Sequence, residues 1–179
     1  MAFIDKLEKA YKKIQGEQSN RFYHGSPNDH GDVLKVLPYG KNGTYGHDFG
    51  GIFLSKEKWG HIGKGKNYWY YIDLKGSEIL TGNDLYYRHD PKEPKISKAL
   101  DFFDLLDLSE DDFDIMWDAL CDRKVVTKAL DFFGDSSEWQ IQTIQGQIAK
   151  ALGYTAFKSP DERGVAYLLI GPNSLKKDQ

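Results

Sequence analysis

The sequence predicts an α+β fold, and three observations carry that expectation. Strand chemistry fills the first half of the chain, a helical period runs from Lys98 to Leu152, and strand chemistry returns at Tyr154. Strands, then helices, then strands, without alternating strand–helix units, argues against a doubly wound parallel sheet. At 179 residues the chain suits one domain, 1–179. A domain of that size buries roughly 70% of its unfolded surface and needs no disulfide or metal to be stable.

The elements follow in order. Phe3, Leu7, Ala10, Tyr11 and Ile14 fall at helical spacing and Gly16 stands where a C-terminal cap belongs, so 1–16 is expected to be an amphipathic helix. Arg21–Gly25 reads as a strand. A loop rich in Gly, Asn, His and Asp runs from Ser26 to Gly51, broken by the short apolar alternation Val33–Leu37. Ile52–Ser55 is a second strand, and Tyr68–Leu74 carries the strongest strand signal of the protein. Ile79-Leu80 adds a short one. The helical region is expected over about 98–152. Within it Ser109 opens a helix with acids in its first turn and Phe113, Met116, Trp117 and Leu120 on one side. The hexapeptide Lys-Ala-Leu-Asp-Phe-Phe occurs at 98–103 and again at 128–133, read as similar amphipathic turns and not as a solenoid. Ser137 with Gln140 has the form of a capping box for a helix whose stripe is Ile141, Ile144, Ile148 and Leu152, stopped by Gly153. Tyr154–Lys158 and Val165–Ile170 close the fold, the latter ended by Gly171-Pro172-Asn173.

Charge and cysteine content narrow the function classes. With 24 basic and 27 acidic residues, direct nucleic-acid binding is disfavoured, because its footprint is a basic face. The stretch Lys56–Lys66 is nonetheless lysine-rich, whereas Asp101–Asp122 holds acids and no base, a candidate partner surface. The single Cys121 and the lack of a signal peptide point to a reducing compartment, the cytoplasm. No apolar run approaches the ~20 residues that span a bilayer.

Few residues carry a chemical signature. The five histidines show no paired metal spacing, so no metal site is expected. Gly63-Lys64-Gly65-Lys66 lacks the spacing of a nucleotide triphosphate loop and precedes a strand. Ser26 lies outside a nucleophile elbow, and Cys121 falls on the apolar side of a helix. His24 sits in an aromatic strand before Gly25 and Ser26, where the glycine permits close approach of a ligand or a second strand. Taken alone, His24 reads first as a core histidine satisfied by a backbone carbonyl. The carboxylates are ambiguous too: the helix dipole explains Glu138, and Asp161-Glu162 suit a solvated turn.

Taken in order, Tyr23-His24-Gly25-Ser26, Gly50-Gly51-Ile52-Phe53-Leu54-Ser55 and the run Asp161–Pro172 resemble the motifs of the ADP-ribosyltransferase superfamily. Ser137–Gln142 and Ala151-Leu152-Gly153-Tyr154 leading to Asp161-Glu162-Arg163-Gly164 look most similar to the type I-F anti-CRISPR ADP-ribosyltransferases of phages. The resemblance implies two small packed sheets forming an NAD cleft, NAD as co-substrate, and transfer of ADP-ribose to a host protein such as a CRISPR effector subunit. It implies cofactor-binding roles for Tyr23, His24, Gly25, Ser26, Phe53 and Ser55. His24 would hold the adenosine ribose, Ser26 or the Gly25 backbone the nicotinamide amide, and Phe53 the nicotinamide ring. Many members carry glutamate directly before the last strand's aromatic, where this chain has Ala166. The anti-CRISPR likeness implies that Asp161 or Glu162 takes the catalytic role, Asp161 first, then Glu162 and then Glu138; otherwise the domain binds NAD poorly and does no chemistry. Two alternatives stay open: an NAD glycohydrolase or toxin with another acceptor, and a non-enzymatic inhibitor that occludes a partner through 101–122.

Overall fold

The computed structural model describes residues 19–37, 51–58, 67–122, 137–161 and 164–179, with backbone alone for 137–139, 160, 161 and 164. The helix expected over 1–16, the second hexapeptide copy, Gly63–Lys66 and Glu162 lie outside the described residues, as does the side chain of Ser137 in the expected capping box. Strand chemistry at both ends of the chain resolves into two four-stranded sheets. In the first, β1 (Ser19–Ser26) pairs antiparallel with β4 (Tyr68–Lys75) along its whole length, Ser19 opposite Lys75 and Ser26 opposite Tyr68. β2 (Val33–Val36) forms where only a broken loop was expected. Its Leu34 and Val36 are buried while Val33 and Lys35 face solvent, the period of two that a half-covered strand requires.

One strand of this sheet was not expected at all. Gly171-Pro172-Asn173 ends the last strand that the sequence predicts, yet β8 (Asn173–Lys177) follows at once and takes the place between β4 and β2. Asn173 Nδ2 donates to the Ile170 carbonyl at 2.6 Å and turns the chain back. Only Leu175 of the strand is buried, so its sequence holds no apolar alternation to find.

The second sheet has the order β3 (Gly51–Leu54), β7 (Gly164–Ile170), β6 (Ala156–Asp161), β5 (Ile79–Thr81), antiparallel except for the parallel pair β5–β6. Its two faces bury different cores. Ile52, Leu54, Tyr167 and Leu169 meet Phe22, Tyr70, Leu74 and Leu175 of the first sheet. Phe157, Leu168 and Ile170 face the helices. β7 is thus covered on both sides, which explains its nearly continuous apolar run.

The helices are α1 (Gly82–Arg88), α2 (Pro94–Asp101), α3 (Glu110–Leu120) and α4 (Ser137–Leu152). The helical region therefore begins at Gly82, before the expected Lys98. Thr81 caps α1 by accepting from the Asp84 amide at 3.0 Å, and Pro94 opens α2 with its preset φ. Neither helix has enough turns to show a long periodic stripe. α3 and α4 match the sequence reading: Ser109 caps α3, and Ile141, Ile144 and Ile148 of α4 are buried. Gly153, at φ +90°, ends α4 in a conformation that favours glycine. No described helix is long and apolar enough to cross a membrane.

Candidate functional site

The two sheets are stitched at one seam. Tyr23 of β1 and Ser55, just past β3, exchange both backbone hydrogen bonds, at 2.8 and 2.9 Å. One residue further, His24 Nδ1 lies 2.9 Å from the Phe53 carbonyl. A carbonyl only accepts, so Nδ1 carries the hydrogen and Nε2 of the neutral ring is an acceptor. The carbonyl partner weighed for His24 on sequence grounds is therefore present, and it belongs to the other motif strand. The bond orients the imidazole and joins the two candidate segments in a single contact.

The other residues of the seam divide by face. Phe22, His24 and Ser26 share the inner face of β1, and Arg21, Tyr23 and Gly25 the outer. The Tyr23 ring thus stands on the far side from His24, with Lys58 Nζ 5.4 Å from its centroid and Lys58 ion-paired to Asp178. Only the Tyr23 backbone belongs to the seam. Ser26 is fully buried; its Oγ accepts from the Asn28 amide at 3.2 Å and lies 3.0 Å from His30 Nε2. Phe53 is half-buried against the helical core, opposite Leu168. Ser55 Oγ donates to the Glu57 carbonyl at 2.5 Å.

Two of the candidate acids stand on β6 and α4. Asp161 ends β6 opposite Gly164, the first residue of β7, and Glu162 is outside the described residues. Leu54 pairs with Tyr167 and Ser159 with Ala166, which sets Ser55 level with Ser159 across β7. Two strand spacings across and two residues along put the Asp161 backbone about 12 Å from Ser55. α4 runs antiparallel to β6, and Ser159 Oγ donates to Gln145 Oε1 at 3.5 Å. Eight residues back from Gln145 at ~1.5 Å each bring the first turn of α4, with Glu138, to the same end of the sheet. The backbone thus places Asp161 and the start of α4 at one end of the second sheet, set apart from the seam of His24, Phe53 and Ser55.

A further polar cluster borders this end. Gln145, on the otherwise apolar face of α4, donates to the Leu120 carbonyl and to Asp122 Oδ1, both at 3.0 Å. Asp122 adopts φ +56°, a left-handed conformation that aspartate tolerates better than most residues. As a residue it is exposed, but its carboxyl turns inward to Gln145, and desolvation there pushes it up to about 6. Sequence reasoning passed over both. A glutamine inside the Ile141–Ile144–Ile148 stripe was the available signal, since a polar side chain buried there demands partners. Among the described residues no group of His, Cys, Asp and Glu gathers as a metal site would require.

Against this geometry stand the comparisons with known proteins. The family model of the anti-CRISPR type I-F ADP-ribosyltransferase AcrIF11 matches residues 20–177. The chain belongs to that family. The match runs from β1 through β8 and spans every candidate site residue. A solved crystal structure of an anti-CRISPR protein is similar over 92% of this chain and 98% of its own, with a TM-score of 0.55 and 24% identity. At that identity it speaks for the fold alone. A search of curated proteins finds no match. Within an ADP-ribosyltransferase family, a seam that locks His24 to the Phe53 carbonyl is the part of the molecule in which both motif strands meet.

Proposed function

We propose that this protein cleaves NAD and transfers ADP-ribose to a host protein, a subunit of a CRISPR effector, in the bacterial cytoplasm. The observation that carries the reading is the His24–Phe53 bond at 2.9 Å, which presents the two motif strands side by side in a chain of this family. NAD lies along the seam, with His24 beside the adenosine ribose, the Gly25 backbone beside the amide, and Phe53 and Ser55 lining the nicotinamide end. Breaking the glycosidic bond sends its electron pair to nicotinamide and leaves positive charge on the ribose. A fixed carboxylate stabilises that charge, the demand that glycosidases meet in the same way. Asp161 fills this role, with Glu162 and Glu138 as the neighbouring acids. A nucleophile of the acceptor protein then forms the new bond at the ribose carbon and gives up its proton.

The test is mass spectrometry of candidate CRISPR effector subunits incubated with the protein, with and without NAD. Asp161→Ala is expected to lower labelling by at least ~100-fold, the scale of removing one charge-stabilising group, with an unchanged melting temperature. Full labelling by the Asp161, Glu162 and Glu138 alanine variants alike would sink the assignment of the acid. Rapid nicotinamide release with no acceptor present would favour a glycohydrolase instead.

A further inference from the structure

The serine that follows His24-Gly25 is the first link in a chain of contacts reaching the last strand. Ser26 Oγ sits 3.0 Å from His30 Nε2, and the His30 amide donates to the Tyr70 hydroxyl at 2.6 Å. That hydroxyl donates to Asp29 Oδ1 at 3.4 Å, and Lys177 Nζ, on β8, reaches both Asp29 oxygens at 2.7 Å. Lys177 and the Gly31 amide hold the Asp29 carboxyl below the usual carboxylate range. Gly31 donates to Asp29 Oδ1 at 2.9 Å and takes φ +74°, so only a glycine closes this turn without strain. Ser26 and Tyr70 are both 0% exposed. The imidazole of His30 also packs on the Tyr70 ring, with centroids 5.9 Å apart.

An ordinary surface turn needs one or two such bonds. Here every residue from Ser26 to Gly31 except Pro27 takes part in at least one. The turn starts two residues beyond His24, on the strand whose backbone is bonded to Ser55. We propose that His30 is a positioning residue for ligand binding: through Ser26 it fixes the end of β1, while Tyr70, Asp29 and Lys177 anchor the same turn to β4 and β8. The inference rests on reading the seam as the NAD site. Its physical content is preorganisation, a loop ordered before the ligand arrives so that binding does not bear the ordering cost. It also gives the buried Ser26 hydroxyl a role in shaping the site in place of direct contact with nicotinamide.

The experiment compares His30→Ala and His30→Gln in the full chain. Glutamine offers an amide at the reach of Nε2 that serves Ser26 as donor or acceptor. NAD cleavage is measured against NAD concentration, and amide hydrogen exchange of 25–31 is measured without NAD. His30→Ala is expected to raise KM for NAD about tenfold, one hydrogen bond's worth, with kcat held within about twofold and faster exchange in the turn. His30→Gln restores both. Lys177→Met, at the exposed far end, moves KM and exchange in the same direction by a smaller factor and serves if His30→Ala does not fold. An unchanged KM in His30→Ala overturns the inference. So does a glutamine variant as impaired as alanine, or a fall in kcat with KM unchanged. If the wild-type protein turns over no NAD, the proposed function fails by itself. The exchange measurement then still decides whether His30 orders the turn.

Discussion

Replacing Gly82 by alanine is expected to destabilise the fold, although alanine is the better helix former. Gly82 opens α1 directly after β5, and a Cβ there would lie 2.4 Å from the Cys121 carbonyl oxygen, 2.7 Å from its carbon and 2.8 Å from Asp122 Oδ2. The first two atoms are backbone, so no side-chain rotation relieves the clash. Contact at 3.0 Å requires the corner after α3 to retreat by at least 0.6 Å (3.0 − 2.4). That corner is pinned by the two bonds from the Gln145 amide, each worth about 1 kcal/mol. Overpacking adds about 1–3 kcal/mol, and the propensity gain from alanine returns at most about 1 kcal/mol. The steric terms win, leaving a net loss of about 3 kcal/mol. For a chain of this size the melting temperature should fall by about 6–12 °C. Circular dichroism melts of wild type and Gly82→Ala check this at one pH and protein concentration. A variant melting within about 2 °C of wild type would refute the close approach of the Gly82 and Cys121 corners.

The same corner has a pH signature. The Asp122 carboxyl is raised from 3.8 to about 6, so the native state binds the proton more tightly and stability falls as pH rises between those values. A rise from 3.8 to about 6 corresponds to ~3 kcal/mol, but the residue is exposed, and solvent screening reduces the effect to about 1 kcal/mol. Asp122→Asn keeps an acceptor for Gln145. In urea melts it should match wild type near pH 4 and exceed it by about 1 kcal/mol at pH 8; a less stable variant at pH 8 contradicts the assignment. Arg21→Ala removes a pair with Asp73 (2.9 Å, side chains 45% and 43% exposed) and the stacking on Tyr71 at 3.8 Å. Because this is the exposed outer face of β1, stability should change little. KM for NAD should not change, and a large rise in KM would place the ligand on the wrong side of the strand.

Local sequence located β1, β3, β4, β7, α3 and α4: the strands by their aromatic and β-branched runs, β7 by a nearly continuous apolar one, and the two helices by apolar residues at helical spacing. The ordered motifs Tyr23–Ser26, Gly50–Ser55 and Asp161–Pro172 likewise carried the family, which the match over 20–177 shows. Tertiary structure decided what depends on neighbours distant in sequence. β8 exists because β4 and β2 supply its hydrogen bonds, with only Leu175 buried. Gln145, Asp122 and Gly82 form a cluster only because α4, the end of α3 and the start of α1 converge there. His24 became part of a seam, and Ser26 came to lie buried beside His30, once β3 and the turn after β1 stood beside them. A side chain's residue type follows from the sequence alone, but the hydrogen-bond partners that set its role come from packing between strands and helices dozens of residues apart.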